Sequence, residues 1–431
     1  MVNLVCKHAR FFILINFIKC YRISIEGIRY GRDVLMIKYD FKTFMDIDGV
    51  AKYKSVIQKI KKKFDACDGG EVFTDISKCI SSRDIEKIKK VSKYIRNNAD
   101  VFLVIGVGGS YHGSKAIVDM FTNKYKNDVD IIYTGYSLNS NNLYELLDYI
   151  KDKRVIVNVI SKSGNTMEVN FIFSKVLELM KSKYNDKELR KRIIITTSKN
   201  SGKLLSIAKK NNYMKFYIPD ISGRYSVMTS VGMLPISVAG IDIDLLIKGY
   251  IEGINDIDKC FMYAALRDIL YKQGKKIEAF TIYDEKLLSF NDFLKQLFAE
   301  TCGKKRKGIL PISVFNTRDM HSLGQYFSEG EQIYFSTVIN IVNNKDIKLK
   351  DKSLNKINNI AMISIAKSLN SPSIIINIDK LNEENVGRLL YFFMVSAATS
   401  GYLLGVNPYN QPGVNNYKKI LKENINGKYK R

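Results

Sequence analysis

The sequence predicts a doubly wound α/β fold built twice over, and three observations predict it. Apolar runs of strand length, VFLVIG (101–106), RVIVNVI (154–160) and RIIITT (192–197), show no polar alternation, as strands do when both faces of a parallel sheet are covered. Helical stretches lie between them, so strand and helix alternate from about residue 76 to 240. The second half repeats that rhythm, and 431 residues fit two domains of about 150–200 residues better than one.

Residues 1–35 differ from the rest. FFILINFI follows Lys7 and Arg10 in the manner of a signal peptide, but Lys19, Arg22, Arg29 and Arg32 come next and no small-residue cleavage site is clear. The stretch is read as an extension upstream of a functional start at Met36, of the kind a misplaced start codon adds. A helical arm is expected over 36–75, with a Lys-rich amphipathic helix from Tyr53 to Phe64. Ser81 or Ser82 caps the next helix, whose stripe is Ile85, Ile88, Val91 and Ile95. The first α/β domain then spans 76–240, with IIYTG (131–135) as a further strand, and the second spans 241–431. In the second, helix 257–273 precedes a strand at 278–283, and a helix ending near Glu300 follows. ILPISV, QIYFSTVINI and SIIINI are strands, 343–358 is a polar surface insertion, and the last long helix runs from about Asn382 to Val406.

A net charge of +25 raises the question of nucleic acid. The lysines are spread along helices rather than massed, so biased composition is the preferred account, with anionic small molecules attracted secondarily. The six cysteines show no CxxC and no metal-ligand spacing, which fits free thiols in a reducing cytoplasm and no bound metal. Leu389–Val406 is uncharged and just reaches spanning length, but its Ser, Thr and Tyr content favours a buried core helix over a membrane span.

Chemistry concentrates in a few turns. Leu288, Phe293, Leu294, Leu297 and Phe298 share helical spacing, and Gln296 and Glu300 sit four apart on one face. A carboxylate desolvated on one side suits proton abstraction; the alternative is a surface Glu at a frayed end. Gly303 stops that helix and a basic run follows. After the strand ILPISV, Thr317 or Asp319 is expected to cap a second helix carrying His321, one of only three histidines. Gly106-Val-Gly-Gly-Ser110 joins a strand to a helix and would let backbone amides approach an anion, which suggests a modest anion or sugar site. It is neither a dinucleotide fingerprint nor a Walker A loop, and a plain structural turn explains it as well. Ser161-Lys162-Ser163-Gly164-Asn165-Thr166 is placed alike and is equipped for a phosphate monoester; the alternative is an ordinary N-cap turn. Glu168 follows, where an acid opposes the helix dipole. Arg224 lies in a turn before an apolar helix, fit to stabilise an oxyanion or simply to face solvent. Gln411 lies in the rigid turn NPYNQPG, and Lys418 in the helix after it.

Together these segments resemble the phosphoglucose isomerase family in its shorter bacterial form, from Met36 essentially to the C-terminus. The likeness rests on five motifs in order: GVGGSYHGSKA, ISKSGNTMEV, GRYSVMTSVGMLPISVAGID, QLFAETCGKKRKG…HSLGQYFSEG and SGYLLGVNPYNQPGVNNYK. The resemblance implies two sugar-isomerase domains with helical extensions, a cytoplasmic homodimer with shared active sites, a phosphosugar substrate and no cofactor. It implies Glu300 as the base moving a proton between C1 and C2, His321 from the neighbouring subunit as the ring-opening group with Glu168 paired to it, and Lys418 at the ring oxygen. It further implies Arg224 beside the enediolate, Ser161, Lys162, Ser163 and Thr166 around the phosphate, and Gly109, Ser110, Gln296 and Gln411 as other substrate contacts.

Four positions depart from the family pattern. Ser222 replaces the first glycine of GGRYS and is expected to tighten the turn before Arg224. His112 stands where an apolar residue is common. Asn410 and Asn415 replace acidic residues near Lys418. The reaction expected is interconversion of glucose 6-phosphate and fructose 6-phosphate. Rival readings are a dual isomerase that also takes mannose 6-phosphate, a non-catalytic phosphosugar-binding regulator, and a nucleic-acid binder.

Overall fold

A computed structural model describes residues 37–44, 49–126, 128–369, 371–425 and 427. The reading of residues 1–35 lies outside the described residues. Helices of eight or more residues are labelled below.

The described residues open with β1 (Ile37–Phe44), then α1 (Lys54–Ala66) and α2 (Ser82–Asn98). Ser81 caps α2 by accepting the amide of Asp84. The first sheet follows: β2 (Val101–Ile105), α3 (His112–Phe121), β3 (Asp130–Thr134), α4 (Ser140–Ile150), β4 (Val155–Ile160), α5 (Met167–Lys183), β5 (Ile193–Ser198), α6 (Lys203–Lys210) and β6 (Met214–Ile218). Its order is β3-β2-β4-β5-β6, and every pairing is parallel. β2 and β4 are buried throughout, as central strands covered on both faces must be. β6 was not legible in the sequence. It is an edge strand whose Lys215 and exposed Tyr217 break the apolar run.

Three helices lead to the second sheet: α7 (Ser230–Val238), α8 (Ile243–Glu252) and α9 (Ile257–Lys272). Then come β7 (Ile277–Ile282), α10 (Leu288–Cys302), β8 (Leu310–Phe315), β9 (Tyr334–Ile341), a small hairpin of β10 (Lys348–Leu349) and β11 (Lys352–Ser353), α11 (Leu354–Ser368) and β12 (Ser373–Ile378). The order is β1-β12-β9-β7-β8, parallel except that β1 pairs antiparallel with β12. The 36–75 arm is therefore not simply helical. Ile37, Tyr39 and Phe41 alternate with polar neighbours at strand period and complete a sheet edge more than 300 residues away in sequence, which local pattern alone could not reveal. The expected surface insertion 343–358 holds that hairpin and the first turn of α11.

α12 (Glu383–Leu403) is buried from Val386 to Gly401 except for Arg388. Each fully buried Leu, Phe or Met side chain on it contributes about 1.5–3 kcal/mol. It packs against α8, α9 and α10, and one apolar cluster runs beneath both sheets through it. No described helix is long and apolar enough to cross a membrane. Among the described residues Cys67, Cys79, Cys260 and Cys302 are free and buried. The last helix, α13 (Gly413–Ile425), has no buried residue.

Candidate active site

Glu300 sits in the last turn of α10, where the apolar stripe Phe293, Leu294, Leu297 and Phe298 is fully buried and fixes which way the carboxylate faces. Gln296, one turn earlier, donates from Nε2 to its Oε1 at 3.1 Å. Arg224 Nη1 donates to its Oε2 at 3.2 Å, and the Gln411 side-chain amide donates to the same oxygen. The carboxylate thus gathers three side chains from three parts of the chain.

Arg224 is not a surface residue. It is 1% exposed in a 3-10 turn (Gly223–Tyr225) that precedes α7. A buried guanidinium is costly unless its donors are satisfied. Its Nε donates to Thr301 Oγ1 at 2.8 Å, and Nη2 donates to the carbonyl oxygens of Pro408 and Asn410. The glycine turn after β2 presses on the same place. A Cβ added to Gly109 would fall 2.0 Å from the Gly223 carbonyl carbon and 2.7 Å from the Arg224 nitrogen. Only a residue without a side chain permits two backbones to come so close.

At the C-terminal end of β4 the hydroxyls of the Ser161–Thr166 turn organise the loop itself. Ser161 Oγ accepts the Gly164 amide at 3.1 Å and pairs with Thr166 Oγ1 at 3.1 Å, while Ser163 Oγ accepts the Asn165 amide at 3.2 Å. Thr166 makes no side-chain cap, so the first amides of α5 keep their free direction beyond the helix end. Lys162 Nζ meets Asp220 Oδ1 at 2.7 Å and the Ile221 carbonyl at 3.1 Å, which joins this loop to the segment leading to Arg224. Glu168 is half-buried in the first turn of α5. His112 opens α3, and burial lowers its imidazole below the ordinary value.

His321 is placed differently from expectation. It closes a 3-10 turn (Arg318–His321), not an α-helix, and Thr317 caps nothing with its side chain. Asp319 Oδ2 instead accepts the Phe315 amide at 2.8 Å, tying the turn to the C-terminal end of β8. α10 runs back alongside β8: Asn291 donates to the carbonyl of Val314, while Cys302 lies against Gly308. Glu300 and His321 therefore occupy opposite ends of a six-residue strand, a separation on the order of 20 Å. Within one chain they do not meet. Lys418 is exposed on α13.

Lys304 was not singled out in the sequence, where it is one of a basic run that follows Gly303. Its Nζ donates to the Asn407 carbonyl at 2.5 Å, and burial together with the Arg224 charge pushes the ammonium down to about 8. It lies past the helix end at Cys302, so helical spacing from Glu300 gave no signal for it. Among the described residues no group of three or more His, Cys, Asp or Glu is arranged to hold a metal ion.

The family model described as phosphoglucose isomerase matches residues 56–320, which span Gly109, Ser161, Arg224 and Glu300. The chain is 40% identical over 371 residues to the glucose-6-phosphate isomerase of Clostridium tetani, covering 78% of this chain and 83% of the relative.

The chain belongs to the phosphoglucose isomerase family.

Another member, from Staphylococcus saprophyticus, is 38% identical over 396 residues, 85% of this chain and 89% of that one. The fold is shared with the crystal structure of a glucose-6-phosphate isomerase from Chlamydia trachomatis, with a TM-score of 0.76 at 20% identity over 91% of this chain and 88% of that one. It is shared also with a hypothetical protein from Thermus thermophilus, with a TM-score of 0.80 at 20% identity over 90% of this chain and all of that one. The predicted α/β architecture with parallel-rich sheets is that of the phosphoglucose isomerase family. His321 lies just beyond the segment matched by the family model, and Gln411 and Lys418 lie well beyond it.

Proposed function

We propose that the protein interconverts glucose 6-phosphate and fructose 6-phosphate by ring opening and proton transfer between C1 and C2 through a cis-enediolate, a step of glycolysis and gluconeogenesis. The observation that carries the reading is the carboxylate of Glu300, held by Gln296, Gln411 and the buried Arg224. Aldose–ketose exchange takes a proton from the carbon next to a carbonyl and returns it one carbon away, and one carboxylate performs both transfers if the enediolate stays in place. Charge accounting favours this pair. As Glu300 takes the proton, its negative charge disappears and reappears on the sugar oxygens. Arg224 is fixed by Thr301 and two carbonyls, so it follows that charge without rearranging.

The remaining assignments follow the same logic. Ser161, Lys162, Ser163 and Thr166, with the free amides of α5, receive the phosphate, whose binding energy orients the reacting carbons. Gly109 and Ser110 bring backbone to the sugar beside Arg224. His321 of the partner subunit, oriented by Glu168, opens the ring, with Lys418 at the ring oxygen. The wide separation of Glu300 and His321 in one chain supports a homodimer with shared sites. The division into sugar-isomerase domains at 76–240 and 241–431, and a cytoplasmic location, complete the proposal. The chemistry calls for no metal or redox cofactor.

The test is a coupled assay with fructose 6-phosphate on purified protein, beside Glu300→Gln. The variant is expected to bind substrate with unchanged affinity and to lose turnover by several orders of magnitude. A variant turning over near the wild-type rate would remove Glu300 from its role. Wild-type binding without turnover would instead make the protein a phosphosugar-binding regulator.

A further inference from the structure

Four successive backbone carbonyls, those of residues 407–410, are each gripped by a side chain. Lys304 Nζ holds Asn407, Arg224 Nη2 holds Pro408 and Asn410, and Ser222 Oγ donates to Tyr409 at 2.6 Å. The next residue, Gln411, places its amide on Glu300. The Tyr409 amide returns to Asn407 Oδ1 at 2.8 Å, and its ring packs against Phe73, Tyr225 and Tyr402. Loop carbonyls that stay unpaired keep a loop mobile; four paired in a row hold it to the surface beneath.

Ser222 supplies one of these four grips from a position where the family motif carries glycine. Its backbone is extended, with φ −66° and ψ 140°, so the turn does not require glycine there and the hydroxymethyl group is accommodated without strain. The residue is two positions from Arg224, and its carbonyl accepts the Tyr225 amide at 2.9 Å. One hydroxyl thereby bridges the turn that carries the arginine and the loop that carries the glutamine.

We propose that Ser222 is a positioning residue of the isomerisation: by holding the Tyr409 carbonyl it clamps the 407–411 loop to the Arg224 turn and keeps the Gln411 amide on the Glu300 carboxylate. The inference rests on the proposed function above. Its effect belongs to turnover rather than to substrate capture, because the hydroxyl faces the 407–411 loop, whereas the phosphate loop is tied to this segment separately, by Lys162 on Asp220 and the Ile221 carbonyl.

Two readouts test it on full-length protein. Hydrogen exchange of the peptide spanning 407–413 reports the clamp, and steady-state kinetics with fructose 6-phosphate report its consequence. In Ser222→Gly and Ser222→Ala, exchange of that peptide is expected to accelerate. kcat should fall about three- to tenfold, the factor that one ordinary hydrogen bond supplies, with KM unchanged. Ser222→Thr, which keeps the hydroxyl, should recover both. Unchanged exchange in the Gly and Ala variants overturns the clamp. Faster exchange with unaltered kcat, or a kcat loss that Thr does not recover, overturns the positioning role. A wild-type protein that exchanges slowly but does not isomerise would leave the clamp standing and strike the proposed function instead.

Discussion

At Arg224 the guanidinium reaches Glu300 with one edge and the Pro408 and Asn410 carbonyls with another, so a second cation nearby is held at a disadvantage. That cation is Lys304, whose ammonium is pushed down to about 8 by burial and by Arg224. Below pH 8 it is charged in both the folded and the unfolded chain. Between about 8 and its ordinary 10.5 the unfolded chain binds more protons, so this group's contribution to stability rises with pH. Activity should move the other way, since the site loses a positive charge beside the developing enediolate. The kcat/KM profile is expected to decline above pH 8 without loss of folded protein. Lys304→Met should remove that limb and lower kcat/KM at pH 7 about tenfold, the lower end of what a hydrogen bond to a charged group supplies. A pH–rate series with circular dichroism at each pH separates the two effects; an identical alkaline limb in the variant would assign the titration elsewhere. Arg224 and Glu300 were legible as residue types at motif positions, and Lys304 was not, because a lysine in a run of basic residues carries no sign of burial.

Among the elements, the glycine turn 106–110 and the turn 223–225 are pressed together backbone on backbone. Gly109→Ala must part them, because its methyl would overlap main-chain atoms that cannot swing aside. A displacement near 1 Å is expected to lower kcat/KM about a hundredfold, while Gly413→Ala, whose added methyl meets nothing within 4 Å, should behave nearly as wild type. Steady-state assays with thermal melts on both variants check this, and an active Gly109→Ala would deny the close approach any role. The elements themselves were readable wherever burial was nearly uniform: β2 declared itself by an unbroken apolar run, and β4 and β5 by runs broken only by Asn158 and by the closing Thr196, Thr197 and Ser198. The edges did not. β6 carries Lys215 and an exposed Tyr217, and β1 finds its partner only through the far end of the chain. The turn bearing His321 was misread as a helix because Asp319 caps the strand end instead of an α-helix, a choice of partner that composition does not reveal.

For the whole molecule, the length of β8 standing between Glu300 and His321 leads to an expectation about mixtures. Chains carrying Glu300→Gln and chains carrying His321→Ala are each expected to be nearly inactive. After subunit exchange they should regain about a quarter of wild-type activity, because half the dimers are hybrids and each hybrid holds one whole site. No recovery after exchange verified by mass spectrometry would confine the site to a single chain.

The apolar cluster that α12 threads beneath both sheets has a bearing on how a sugar gets in. Swinging one half of the molecule away from the other would drag greasy side chains into water along that whole spine. Entry and exit must therefore be managed at the rim, by side chains and short surface stretches outside the clamped 407–411 loop, while the body beneath stays still.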